Sequence, residues 1–102
     1  VNETTRQAVT AARIWLDGHD GSSDDQITMR MMKLMEESGE AAAAWIGVRG
    51  QNPRKGVTHE RADVAAELAD VVFTALVAIE SLGFDAEEAV TACAAKVLSR
   101  LS

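Results

Sequence analysis

The chain has 102 residues, the size of one small domain, and 47% of them are apolar, an ordinary share for a folded protein. Sixteen acids against ten bases leave a formal charge of −6, which argues against a nucleic-acid polymer or an anionic membrane surface as partner. A nucleotide is not excluded, because a bound cation inverts the local field.

Much of the apolar content is alanine, and only two Trp and two Phe supply aromatic rings. A small alanine-rich core suits closely packed helices and burial against another subunit. The single cysteine, Cys93, has no internal partner for a disulfide, which fits a reducing compartment. No apolar run approaches membrane-spanning length, and no signal-peptide layout opens the sequence, so a cytoplasmic location is expected.

Pro53 is the sole proline, and glycines gather at 18–21, 47–56 and 83. These breaks leave four segments with helical periodicity, and no strand pattern stands out. The first helix is predicted over about 4–16, with Ala8, Ala11, Ala12, Trp15 and Leu16 on one stripe and a turn over 18–22. The second opens on Ser23-Asp24-Asp25-Gln26, a capping-box pattern whose acids suit the positive helix end, and runs to about Val48. Its stripe is Ile27, Met31, Leu34, Ala41, Trp45 and Val48, with Glu37 and Glu40 at the rim.

A glycine-rich loop follows over 47–56. Arg49, Arg54 and Lys55 make it a positive pole in an acidic chain, either a solvated connector or a phosphate-binding element. The third helix is predicted from Thr58 or His59 to just before Gly83. Val64, Leu68, Val71, Val72, Ala75, Ile79 and Leu82 form its main stripe, and Phe73 and Val77 add another apolar side. At ~1.5 Å per residue it exceeds about 30 Å, long enough to extend into a partner subunit. The fourth opens on the capping box Asp85-Ala86-Glu87-Glu88. Ala89, Val90, Cys93, Ala94, Val97, Leu98 and Leu101 are expected to face inward, with Lys96 and Arg100 paired on another face. Trp15, Trp45 and Cys93 are expected in the core, and His19 and His59 in or near turns.

Two acidic pairs carry the chemistry: Glu37 with Glu40, and Glu67 with Asp70. On a helix, three-residue spacing places both carboxylates on one face, and two antiparallel helices would aim four of them at one spot. A hard cation with oxygen ligands, Mg²⁺ or Mn²⁺, relieves their repulsion. The other reading is a solvated helix surface. Both pairs adjoin apolar stripes, and buried carboxylates need a partner, which favours the cation. Glu36 points about 100° away from the pair, toward Lys33 or a water near the metal. Asp63, one turn before Glu67, is either an outer ligand or surface charge.

The pattern Glu36-Glu37-x-x-Glu40, then 26 residues, then Glu67-x-x-Asp70, resembles the MazG-like all-α nucleoside triphosphate pyrophosphohydrolases. The resemblance runs from about Gln26 to Leu101 and takes in Leu68-Ala69-Asp70-Val71-Val72. It implies an all-α, four-helix bundle over 1–102, with the acidic site between two long antiparallel helices and completed by oligomerisation as a dimer or tetramer. It also implies Glu37, Glu40, Glu67 and Asp70 as Mg²⁺ ligands, Glu36 and Glu37 as residues acting on water, and Lys96 as a phosphate contact. Arg54, Lys55 and Arg49 are further candidates for binding the substrate. Family members often carry an asparagine four residues after the lysine, and this chain has Arg100 there. The expected activity is cleavage of a (deoxy)nucleoside triphosphate to monophosphate and pyrophosphate, clearing unwanted nucleotides. The alternatives are phosphoribosyl-ATP pyrophosphatase of histidine biosynthesis and a non-catalytic helical dimerisation module.

Overall fold

The computed structural model describes residues 1–102 and contains four helices and no strand. They are α1 (Glu3–Asp20), α2 (Asp24–Arg49), α3 (Arg61–Ser81) and α4 (Ala86–Leu101). The all-α, four-helix expectation therefore holds. None of the helices is long and apolar enough to cross a membrane.

Each helix end follows from a local donor or acceptor. The Asn2 side chain caps α1 by accepting from the Thr5 N–H at 2.8 Å. This helix runs further than predicted, through Gly18 and His19. Arg13 pairs with Asp17 at 2.9 Å, and His19 stacks on Trp15 with 4.2 Å between ring centroids. These i, i+4 contacts carry the last turn past Gly18. The stop is Gly21, which takes φ +83° while its N–H donates to the Asp17 carbonyl.

Helix α2 opens after Ser23, whose carbonyl accepts from the Ile27 N–H at 2.9 Å. It closes at Gly50, φ +62°, where the Gln51 N–H returns to the Ile46 carbonyl at 3.2 Å. The start of α3 lies two or three residues later than predicted. Thr58 is committed elsewhere, its N–H bonded to the Gly47 carbonyl at 3.0 Å. Asp63 instead accepts from the Glu60 N–H at 2.8 Å and fixes the first turn. The Asp85 side chain caps α4 by accepting from the Glu88 N–H at 3.0 Å, as the capping-box pattern implied.

The chain divides into two compact units, Val1–Ile27 with Leu76–Ser102, and Thr28–Ala75. In the first, Val9, Leu76, Val77, Ala78 and Ala86 are buried. The Ala86 N–H donates to Glu80 Oε2 at 2.6 Å, which sets an acid at the positive end of α4. Beyond Glu87, every α4 residue is exposed. The inward stripe expected at Ala89, Val90, Cys93, Ala94, Val97, Leu98 and Leu101 is therefore not covered by this chain. Only the first turn of α4 meets its own core, and Leu101 is 78% exposed.

In the second unit, Ala41, Ala44 and Gly47 are buried along one face of α2. Their small size lets α3 come close. Arg61 of α3 lies over the Trp45 ring, 5.1 Å from its centroid, and the far end of α3 in this unit reaches back to Glu37. The two helices are thus antiparallel. Trp45 is 39% exposed and Trp15 60%, so neither is the core residue expected. Each is an amphipathic ring held at the surface by a cationic or imidazole neighbour.

Gly47 sits where the returning loop crosses α2. A Cβ there would fall 2.1 Å from His59 Nδ1 and 2.5 Å from Thr58 Oγ1. Gly47→Ala should destabilise the chain by about 1–3 kcal/mol through overpacking. At Gly18 an added Cβ meets nothing within 4 Å. Gly18→Ala should stabilise by roughly 0.5–1 kcal/mol through helix propensity alone. Urea denaturation of both variants checks the opposite signs.

Candidate metal centre

The antiparallel pairing of α2 and α3 brings three of the four predicted ligands together. Carboxylate oxygens of Glu37, Glu67 and Asp70 lie within 4.8 Å of one another. Glu37 and Glu67 are partly buried against the opposing helix, and Asp70 opens to solvent. The Glu37 side chain retains only 12% of its exposure.

One Glu37 oxygen, Oε1, faces the Lys33 ammonium at 3.4 Å. The other, Oε2, is buried and has no hydrogen-bond donor, and neither has Oε2 of Glu67. Buried acceptors are nearly always satisfied, and a charged one left bare loses several kcal/mol or so of solvation. Two bare oxygens on neighbouring acids therefore form a cradle for positive charge. All three donors are carboxylates, the hard oxygen ligands that a hard divalent cation takes. The residues present fit such an ion.

Glu40 stands beside this group, on the exposed side of α2. The negative Glu37 beside it pushes its carboxyl above the ordinary range, and partial desolvation adds to the effect. A hydrogen bond with Glu37 and the charges of Glu67 and Glu36 act in the same direction. The rise reports crowding of like charge at this spot.

Glu36 points elsewhere. It pairs with Lys33 on the helix surface and is exposed. Lys33 holds both members of the Glu36-Glu37 doublet, and its ammonium is kept above the usual lysine range by Glu36 first and Glu37 second. The sequence carries this signal, since Lys33 precedes the two acids by three and four residues. Asp63 is engaged at the start of α3 with the Glu60 N–H and is not aimed at the cluster.

The basic candidates all lie on exposed backbone. Arg49 is the last residue of α2, about 14 Å along the axis from Glu40 at the helical rise. Arg54 and Lys55 follow in a turn in which Asn52 Oδ1 accepts from the Arg54 N–H at 3.0 Å. Lys96 is exposed on α4.

Comparison with curated proteins and with solved structures returns no match. A family model does match, that of the MazG nucleotide pyrophosphohydrolase domain, over residues 26–101. This span takes in α3, α4 and all of α2 but its first two residues, and with them every acid of the cluster. By that match, and with the paired acids meeting across two antiparallel helices, the chain belongs to the MazG nucleotide pyrophosphohydrolase family.

Proposed function

We propose that the chain is a metal-dependent pyrophosphohydrolase that cleaves a (deoxy)nucleoside triphosphate to the monophosphate and pyrophosphate, and that it clears unwanted nucleotides. The observation that carries this reading is the pair of buried, donorless oxygens on Glu37 and Glu67 beside Asp70. Glu37, Glu67 and Asp70 would hold the cation, and Glu40 would complete the set from one turn along α2. A bound Mg²⁺, or Mn²⁺ in its place, would supply positive charge to the phosphate oxygens and to the transition state.

Water attacks the α-phosphorus, and the bond from that phosphorus to the bridging oxygen breaks. The water's proton passes to a carboxylate, and pyrophosphate leaves. Glu36 is the acid free of the cluster and open to solvent, which suits a proton acceptor. Glu37 is the other candidate. Lys33 steadies both carboxylates and offsets part of their charge. Arg49, Arg54, Lys55 and Lys96 are exposed cations available to the phosphates. Residues 1–102 act as one domain in the cytoplasm. The open apolar faces of the helices support self-association as a dimer or tetramer.

Pyrophosphate release from a panel of canonical and modified triphosphates, with phosphoribosyl-ATP included, tests the reading in Mg²⁺, Mn²⁺ or EDTA. Release is expected from some members and lost in EDTA. Asp70→Asn and Glu67→Gln should each lower turnover by about 10²-fold or more, the scale of losing one charge-stabilising group. Their far-UV circular dichroism should stay helical. Wild-type turnover in Asp70→Asn would refute the ligand assignment.

Glu40 yields a separate, activity-free test. Its folded-state pKa is raised, so the folded chain holds this proton more tightly than the unfolded chain does. Stability contributed here is present below the ordinary value of 4.5 and is lost as pH rises through the raised value. Without divalent cation at neutral pH, Glu40→Gln should therefore melt higher than wild type, and the gap should close in acid. Mg²⁺ should reverse the order, because it binds the intact acid set more tightly. Differential scanning calorimetry across pH, with and without Mg²⁺, reads both effects.

A further inference from the structure

Lys33 precedes the acidic doublet by one turn of α2, and its position on the helix is specific. With Glu37 as the reference direction, Lys33 lies about 40° to one side and Glu36 about 100° to the same side, at ~100° per residue. The ammonium therefore rises between the two acids. Side chains on a helix lean toward its N-terminus, so both carboxylates lean onto Lys33. The contacts agree: the Lys33 Nζ pairs with Glu36 Oε1 and lies 3.4 Å from Glu37 Oε1.

The two oxygens of Glu37 are thereby made unequal. Oε1 faces the ammonium, while Oε2 is buried without a donor. The Glu37 side chain keeps only 12% of its exposure, which leaves it little room to turn. To give both oxygens to one cation, Glu37 would have to draw Oε1 off Lys33 and set that cation against the ammonium. Glu36 holds the same ammonium on the exposed side of the helix, away from the cluster. One oxygen of Glu37 is left for the site.

The number of oxygens a carboxylate offers distinguishes hard cations of equal charge. Mg²⁺ demands near-ideal octahedral geometry at about 2.0–2.1 Å. The two oxygens of one carboxylate sit closer together than two corners of that octahedron, so each carboxylate gives it one. Ca²⁺ takes six to eight oxygens at about 2.3–2.6 Å in flexible geometry and accepts both oxygens of a carboxylate.

We propose that Lys33 is a positioning residue that limits Glu37 to a single ligating oxygen and so shifts the site's preference toward Mg²⁺ and away from Ca²⁺. The proposal rests on the cation-binding reading above and adds a selectivity device to it. Lys33 acts here through Glu37 and not by touching the substrate. An ammonium acting through its charge alone would weaken both divalent ions alike, so the ratio of their affinities separates the two roles.

Isothermal titration of the full chain with Mg²⁺ alone and with Ca²⁺ alone, without nucleotide, measures that ratio. Lys33→Met should raise Ca²⁺ affinity relative to Mg²⁺ by about 10-fold, the scale on which groups behind a metal ligand act. Lys33→Arg, which keeps a cation at this exposed position, should stay near the wild-type ratio. Infrared difference spectra give a second readout. On adding Ca²⁺, Lys33→Met should show a narrower gap between antisymmetric and symmetric carboxylate stretches than wild type, the mark of a carboxylate bound through both oxygens. Affinities for both ions that move together in Lys33→Met would overturn the proposal and leave the cation site standing. A ratio displaced equally in Lys33→Arg would overturn it too, by tracing the effect to altered packing. A wild-type chain that binds neither ion would refute the site itself, and the role of Lys33 with it.

Discussion

Like charge held at close quarters is the constraint around which the α2–α3 unit is arranged. Three carboxylates lie within 4.8 Å, and a fourth is driven toward its protonated form by them. Two of their oxygens are buried without a donor. A chain folding for stability alone gains nothing from this. Hydrophobic residues of similar volume would serve as well or better, because desolvating ions costs more than their packing returns. The acids crowd like charge into the fold, which positive charge placed among them would relieve.

The strain is tolerable because the helices carrying it are fixed at several independent points. Ala41, Ala44 and Gly47 bring α2 close to α3. The loop is tied down where Thr58 donates to the Gly47 carbonyl, and Asp63 fixes the first turn of α3. Arg61 over Trp45 holds the same end. On α2 these contacts run from about one to three helical turns beyond Glu37, toward the loop end of the pair. The acids therefore converge by the rigidity of two helices and not by attraction to one another. Lys33 is set against Glu37, and its 3.4 Å contact reaches only the outer oxygen. The inner oxygens stay free.

Much of this was legible in the sequence because it depends on local periodicity. The three-residue spacing of Glu37 with Glu40, and of Glu67 with Asp70, fixed which face each carboxylate shares. The capping boxes at Ser23 and Asp85 marked two helix starts correctly. The misjudged features depend on what lies across from a face. Gly18 looked like a break, but the Arg13–Asp17 pair and the Trp15–His19 stack carry α1 on to Gly21. Trp15, Trp45, Cys93 and the α4 stripe have the pattern of core residues yet lie exposed. Periodicity identifies an apolar face without naming what covers it, and here this chain covers few of them.

That distinction applies with most force to α2. A helix with apolar residues on two opposite sides has more to bury than one neighbour supplies. One side of α2 receives α3 and carries the acids at its rim. The other, through Met32, Met35 and Ile46, is left to solvent. The intervening Gly39 and Ala42 add little area of their own, so they do not strengthen burial against a flat surface. One face gathers like charge across a fixed pair of helices, and the other carries apolar side chains that no neighbour in this chain covers.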